Sequence, residues 1–232
     1  MTEDQHCLES IEAILFDLDG TLIETDNRWA KNIAVKLDPL KRVFPRLNTE
    51  RLGRKLVMAA ESPVNYMMSF FEHLGVGSSF FGLADRVRKS KGLATREAAQ
   101  LVEGSEALLK ALQGRYKMAI VTTRARPETQ VFLKGMQGER FFSAVVTRQD
   151  VLRMKPNSEP VRKAASLLGV APERCLMIGD TAMDMRSARR AGAYAVGVLS
   201  GFGERRELER SGAQLILGRR GECYIFLPDA NE

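Results

Sequence analysis

Five short apolar segments, set apart by helical patterns, constrain the fold of this chain more than any other feature of its sequence. They are AILFD (13–17), KMAIVT (117–122), SAVVTR (143–148), CLMIGD (175–180) and YAVGVL (194–199). They are apolar without alternation, and most are rich in β-branched residues, which marks strands buried on both faces of a parallel sheet. Helical patterns separate most of them. In SEALLKAL, Leu108, Leu109 and Leu112 fall on one face, and Ser105 is placed to cap the helix. Pro127 suits the first turn of PETQVFLKGM, and Ser158 the cap of SEPVRKAASLL, where Pro160 is tolerated in the first turn. A further helix over 183–191 is expected to stop at Gly192. Strands alternating with helices imply an α/β fold with a doubly wound parallel sheet.

The alternation breaks once. From about residue 24 to 94 no strand pattern occurs, and amphipathic helical stretches run around 29–35, 50–60, 63–74 and 80–88. The expected organisation is therefore a core of residues 1–23 and 95–232, with a helical domain of residues 24–94 inserted after the first strand. Met67, Met68, Phe70, Phe71, Phe80 and Phe81 are expected to form that bundle's interior.

Composition limits the function classes. With 232 residues and 44% hydrophobic content the chain can bury a sizeable core, and 28% charged residues is ordinary for a globular protein. No apolar run approaches the roughly 20 residues needed to span a bilayer. The start, MTEDQHCLES, is polar and acidic and lacks a leader pattern. Cys7, Cys175 and Cys223 are scattered, with neither disulfide nor zinc spacing, so a reducing cytoplasm is the expected compartment. The net charge of +6 comes from basic residues mixed with acids, as in Glu204-Arg205-Arg206-Glu207. Such a surface draws in small anions rather than marking a nucleic-acid or membrane partner. A monomer or homodimer acting on a small molecule is expected.

The chemistry gathers at strand ends. FDLDGT places Asp17 and Asp19 one residue apart at the end of the first strand, and Gly20 lets the chain turn. Ligands of open α/β sheets bind beyond the carboxyl ends of the strands. GDTAMD places Asp180 and Asp184 at the end of a second strand, four residues apart at a helix start. A turn acid or an N-cap at Asp180 accounts for each pair alone. Taken together, the carboxylates repel unless a hard cation such as Mg²⁺ accepts their oxygens, a cation commonly shared with a substrate phosphate. Thr122 and Thr123 after the second strand can hold phosphoryl oxygens, and Lys155 in RMKPNSEP can neutralise one as a point charge. Each of these has a plain structural alternative: a turn residue or a solvated surface.

The ordered set FDLDGT, VTT, a lysine in KP, and GDTAMD resembles the haloacid dehalogenase superfamily of phosphohydrolases, and the insert resembles that superfamily's all-helical cap. The resemblance implies a Rossmann-like core and a Mg²⁺-dependent phosphatase. Asp17 is implied as the nucleophile, forming an aspartyl-phosphate. Asp19 is implied as the general acid and base, with its backbone carbonyl on the metal. Thr122 and Lys155 are implied to hold the phosphoryl group. Asp180 is implied as a metal ligand, with Asp184 supporting the metal directly or through water or Lys155. Dehalogenases of the superfamily lack the second aspartate, so Asp19 favours a phosphatase or a phosphomutase. In the cap, Arg54 and Lys55 of RLGRK resemble a substrate-specificity loop; Thr123, Arg124 and Arg126 are further substrate candidates. These cations suggest a leaving group with a second anionic centre, such as phosphoglycolate. The alternatives are a β-phosphoglucomutase-type mutase and a pyrophosphatase or nucleotidase. His6 and His73 lie away from any strand end, which disfavours a Ser-His-Asp hydrolase.

Overall fold

The computed structural model describes residues 10–24, 35–39, 44, 49 and 101–218. The chain divides into two compact units, one of Met1–Glu24 with Gly77–Glu232 and one of Thr25–Val76. In the second unit, residues 35–37 are helical and Thr49 Oγ1 donates to Asp38 Oδ1 at 2.8 Å. Most of the helical insert expected over 24–94, with its Met and Phe core and with Arg54 and Lys55, lies outside the described residues, as do Cys7, Cys223, His6 and His73.

The first unit holds a six-stranded parallel sheet: β1 (Ala13–Phe16), β2 (Lys117–Val121), β3 (Ala144–Val146), β4 (Cys175–Gly179), β5 (Tyr194–Val198) and β6 (Leu215–Leu217), in the order β3-β2-β1-β4-β5-β6. Among its described residues the α-helices are α1 (Ser105–Leu112), α2 (Arg126–Gly135), α3 (Glu159–Leu168), α4 (Ala182–Ala191) and α5 (Arg205–Arg210). The side-chain period of two explains the layers. Ile14, Phe16, Met118, Ile120, Leu176 and Ile178 point to one face and pack with Leu108, Leu109 and Leu112 of α1 and Phe132 and Leu133 of α2. Ala13, Leu15, Ala119, Val121 and Met177 point to the other and meet Val161, Ala164, Ala165, Met185, Ala188 and Leu208 of α3, α4 and α5. Both faces are covered, which is why the strands are continuously apolar.

Five of the strands and four of the helices follow the sequence patterns. The sixth strand, β6, has only three residues, two of them partly exposed, and no pattern announces it. Two caps differ from expectation. Gly104, in a left-handed conformation, precedes α1, and Ser105 is its first helical residue. Ser158 holds the cap position of α3 but its hydroxyl does not cap; Asn157 Oδ1 accepts from Glu159 N at 2.9 Å instead. Among the described residues, no helix is long and apolar enough to cross a membrane.

The register brings the site together. Phe16 lies opposite both Ile120 of β2 and Ile178 of β4. The residues that follow those strands, Asp17, Thr122 and Asp180, therefore emerge at one edge. The strand order reverses at β1, so that edge lies at the topological switch point.

Candidate active site

Asp17 follows β1 directly, and its N–H donates to Ile178 O at 2.9 Å, fixing the carboxylate beside β4. Gly20 (φ 79°) turns the chain back, and Leu18 between the two acids is fully buried. The acids part company there. Asp17 is buried, whereas the side chain of Asp19 is 34% exposed. Asp19 lies beyond the strand rather than in it, and both its oxygens are taken by Arg124: Nε donates to Oδ2 at 2.6 Å and Nη2 to Oδ1 at 2.5 Å.

Lys155 follows β3 and carries a cis peptide bond to Pro156. Its buried Nζ donates to Asp17 Oδ1 at 2.6 Å and to Asp184 Oδ1 at 2.5 Å. The second oxygen of Asp184 accepts from Thr181 N at 3.0 Å and Thr181 Oγ1 at 2.5 Å. Thr181 is thus the N-cap of α4 and closes a capping box with Asp184, so the plain alternative of a cap at Asp180 does not hold. The motif T-A-M-D (181–184) carries that signal in the sequence.

Asp180 is fully buried. Phe202 N donates to its Oδ2 at 2.7 Å, while Oδ1 has no hydrogen-bond partner. A Cβ on Gly20 or Gly201 would overlap the Asp180 carboxylate, and one on Gly203 would overlap its backbone carbonyl. The loop after β5, Ser200-Gly201-Phe202-Gly203, is thus a wall of the site, and Ser200 Oγ ties it to Gly20 O at 2.5 Å. Sequence reasoning did not find this wall. Its signal is the glycine pair directly after a strand end.

Thr122 is buried; its N–H is spent on Val146 O at 2.9 Å, and its Oγ1 accepts from Arg124 N at 3.1 Å. The hydroxyl, not the amide, is therefore the group left to meet a ligand. Thr123 is half-buried beside it. Arg126 pairs with Asp150, whose other oxygen caps the turn at Thr147, so it braces that loop.

Electrostatics define what the pocket lacks. One oxygen each from Asp17, Asp180 and Asp184 lie within 4.8 Å of one another, and all three residues are buried. Burial pushes the Asp17 carboxyl up to about 7, and the neighbouring Asp184 and Asp19 add to this against the pull of Lys155. Burial likewise raises Asp180, with Asp17 and Asp184 adding to it. For Lys155, burial opposes the charge, yet two carboxylates hold the ammonium above its ordinary value. Lys155 pairs with Asp17 and Asp184, and Asp180 receives only the Phe202 N–H, so among the described residues the acids of this cluster are under-supplied with positive charge. The donor set is all oxygen and the orphaned Asp180 Oδ1 points to a missing partner, so these residues fit a hard divalent cation.

A parallel α/β sheet with carboxylates, a lysine and a threonine at its switch point defines a class of enzyme that handles phosphoryl groups. Comparison with known proteins makes the assignment specific. The family of haloacid dehalogenase-like hydrolases matches residues 14–198. Pyrophosphatase PpaX of Bacillus cereus is 29% identical over 225 residues, covering 95% of this chain and 98% of its own. A hydrolase from Pseudomonas syringae is 28% identical with a TM-score of 0.61, over 89% of this chain and 93% of its own. A HAD family hydrolase from Deinococcus radiodurans, solved with bound phosphate and sodium, is 24% identical with a TM-score of 0.64, over 95% and 96%. The chain belongs to the haloacid dehalogenase-like hydrolases and is an enzyme of the phosphatase type.

Proposed function

We propose that the protein is a Mg²⁺-dependent phosphatase acting on a small anionic phosphate ester of the phosphoglycolate kind, through an aspartyl-phosphate. The observation that carries this reading is the cluster of three buried carboxylates, two of them paired with Lys155 and the third, Asp180, with its Oδ1 unpartnered. Asp17 and Asp180 would hold the cation, with the Asp19 carbonyl. Asp184 serves chiefly to hold Lys155, since each of its oxygens already accepts a hydrogen bond. The bound cation would offset the repulsion between ionised Asp17 and the phosphoryl oxygens.

The chain's own groups then account for both half-reactions. Asp17 attacks phosphorus, the ester P–O bond breaks, and Asp19 gives its proton to the leaving alkoxide. Water next attacks phosphorus and yields a proton to Asp19; the acyl-phosphate bond breaks, releasing inorganic phosphate and restoring Asp17. Lys155 keeps one oxygen of Asp17 fixed throughout, and the Thr122 hydroxyl and Lys155 receive phosphoryl oxygens.

A second reading, hydrolysis of pyrophosphate, is favoured by the relatives of that name, which align over nearly the whole chain. Phosphate release from phosphoglycolate, pyrophosphate, hexose phosphates and p-nitrophenyl phosphate, with and without Mg²⁺, tests both. Phosphoglycolate turned over no faster than p-nitrophenyl phosphate would sink the first reading. Mg²⁺-independent turnover would sink the metal assignment.

A further inference from the structure

Resting on the phosphatase reading above, we propose that Arg124 selects the substrate by exchange: it leaves Asp19 for an anionic group on the departing half of the substrate, within one or two bonds of the leaving oxygen. A phosphorylated α-hydroxy acid has such a group in its carboxylate, and pyrophosphate has it in its second phosphoryl group.

Arg124 grips Asp19 by a two-point fork at 2.6 and 2.5 Å, the geometry in which arginine binds carboxylates best. To serve the reaction, an oxygen of Asp19 has to meet the leaving oxygen. The fork fixes the plane and direction of the Asp19 carboxylate, so the leaving oxygen competes with a guanidinium N–H for either oxygen. The contact also fixes where Arg124 lies. A cation that touches the proton-transferring carboxylate lies within reach of the leaving group.

Lys155 cannot take this part, because it holds Asp17 and Asp184 and faces the transferred phosphoryl group rather than Asp19. Arg124 can. Its side chain is 25% exposed, so a small ligand can reach it. Its backbone N–H on Thr122 Oγ1 anchors it at the same strand end. Once Asp19 turns away, the guanidinium loses both acceptors of its fork and keeps only the charges of Glu128 and Asp17 near it, and a largely buried cation without acceptors is costly. An anionic leaving group supplies the replacement fork; a neutral alcohol does not. Binding of the right leaving group and release of Asp19 become one event, which is discrimination realised in the reaction step rather than in binding alone.

The test compares phosphoglycolate, pyrophosphate and 2-hydroxyethyl phosphate, the last matching phosphoglycolate without its carboxylate, on wild type, Arg124→Gln and Arg124→Lys, with glycolate inhibition measured in parallel. In Arg124→Gln, kcat/KM for phosphoglycolate or pyrophosphate is expected to fall about 10- to 100-fold more than for 2-hydroxyethyl phosphate. Lysine restores part of the loss, and inhibition by glycolate weakens in step if the group recognised is a carboxylate. Loss confined to pyrophosphate identifies a phosphoryl oxygen as the recognised group. Equal losses on all three substrates, or none, overturn the role of Arg124 while leaving the phosphatase reading intact. Absence of phosphate release from every ester by the wild type overturns the phosphatase reading itself. Should Arg124→Gln not fold, Arg124→Lys and glycolate inhibition decide the matter alone.

Discussion

Asp17 and Asp19 are separated by one residue in the chain and differ in nearly everything else. Asp17 is buried against a shared lysine, and Asp19 is a third exposed in an arginine fork. Two acids in contrasting surroundings suit two roles. Asp17→Asn is expected to fold and to lose more than about a thousand-fold in kcat. Retained Mg²⁺-dependent turnover would refute the nucleophile. The same residue sets a pH dependence. Its carboxyl is raised to about 7 in the fold. Between the unfolded value of about 4 and the folded one, the native state binds the extra proton, so metal-free stability falls as pH rises through that window. Asp180, raised in the same direction, reinforces the trend. A divalent cation needs these acids ionised, so its stabilisation grows over the same range. Thermal melts with Mg²⁺ or EDTA are expected to differ more at about pH 8 than at about pH 5. Equal differences at both pH values would count against a metal held by Asp17 and Asp180.

At the scale of elements, the strands and the loop after β5 teach opposite lessons. Five strands were legible because burial on both faces demands unbroken apolar runs, and Asp17, Thr122 and Asp180 were legible because they directly follow such runs. β6 escaped because a short, half-exposed strand needs no such run. The Arg124–Asp19 fork escaped because it joins residues 105 positions apart, which no local pattern encodes. The loop Ser200–Gly203 escaped because its contribution is the absence of side chains. Gly201 leaves room for the Asp180 carboxylate, and Phe202 offers only its N–H. Gly201→Ala is therefore expected to displace Asp180 and raise the Mg²⁺ concentration for half-maximal activity at least about tenfold. Gly135→Ala, at the end of α2 with open space around it, serves as the control. If both variants titrate with Mg²⁺ alike, the loop is not a wall of the metal site. Thr181→Ala removes the α4 cap and is expected to cost about 1 kcal/mol, read from the urea midpoint.

At the scale of the whole molecule, the fold and the site share one electrostatic problem. Lys155 joins Asp17 at the end of β1 to Asp184 on α4, across 138 and 29 positions of chain, with all three side chains under a tenth exposed. The sheet's strand order delivers these groups to one point, and the hydrophobic layers on both faces keep water away from it. In that setting the lysine is as much a structural element as a catalytic one. Lys155→Met keeps the apolar length of the side chain but leaves buried carboxylates facing one another. Breaking a buried ion pair from one side typically costs about 3–5 kcal/mol. The variant is expected to lose stability on that scale in EDTA at neutral pH, to recover part of it with Mg²⁺, and to recover part of it on acidification, since a protonated Asp17 no longer repels its neighbours. Its turnover is expected to stay low under all three conditions, because neither a proton nor a cation between the carboxylates restores an ammonium at the phosphoryl oxygens. A variant as stable as wild type in EDTA would show that Asp17 is already neutral in the native state. The site would then carry too little excess negative charge for Asp17, Asp180 and Asp184 to attract a divalent cation.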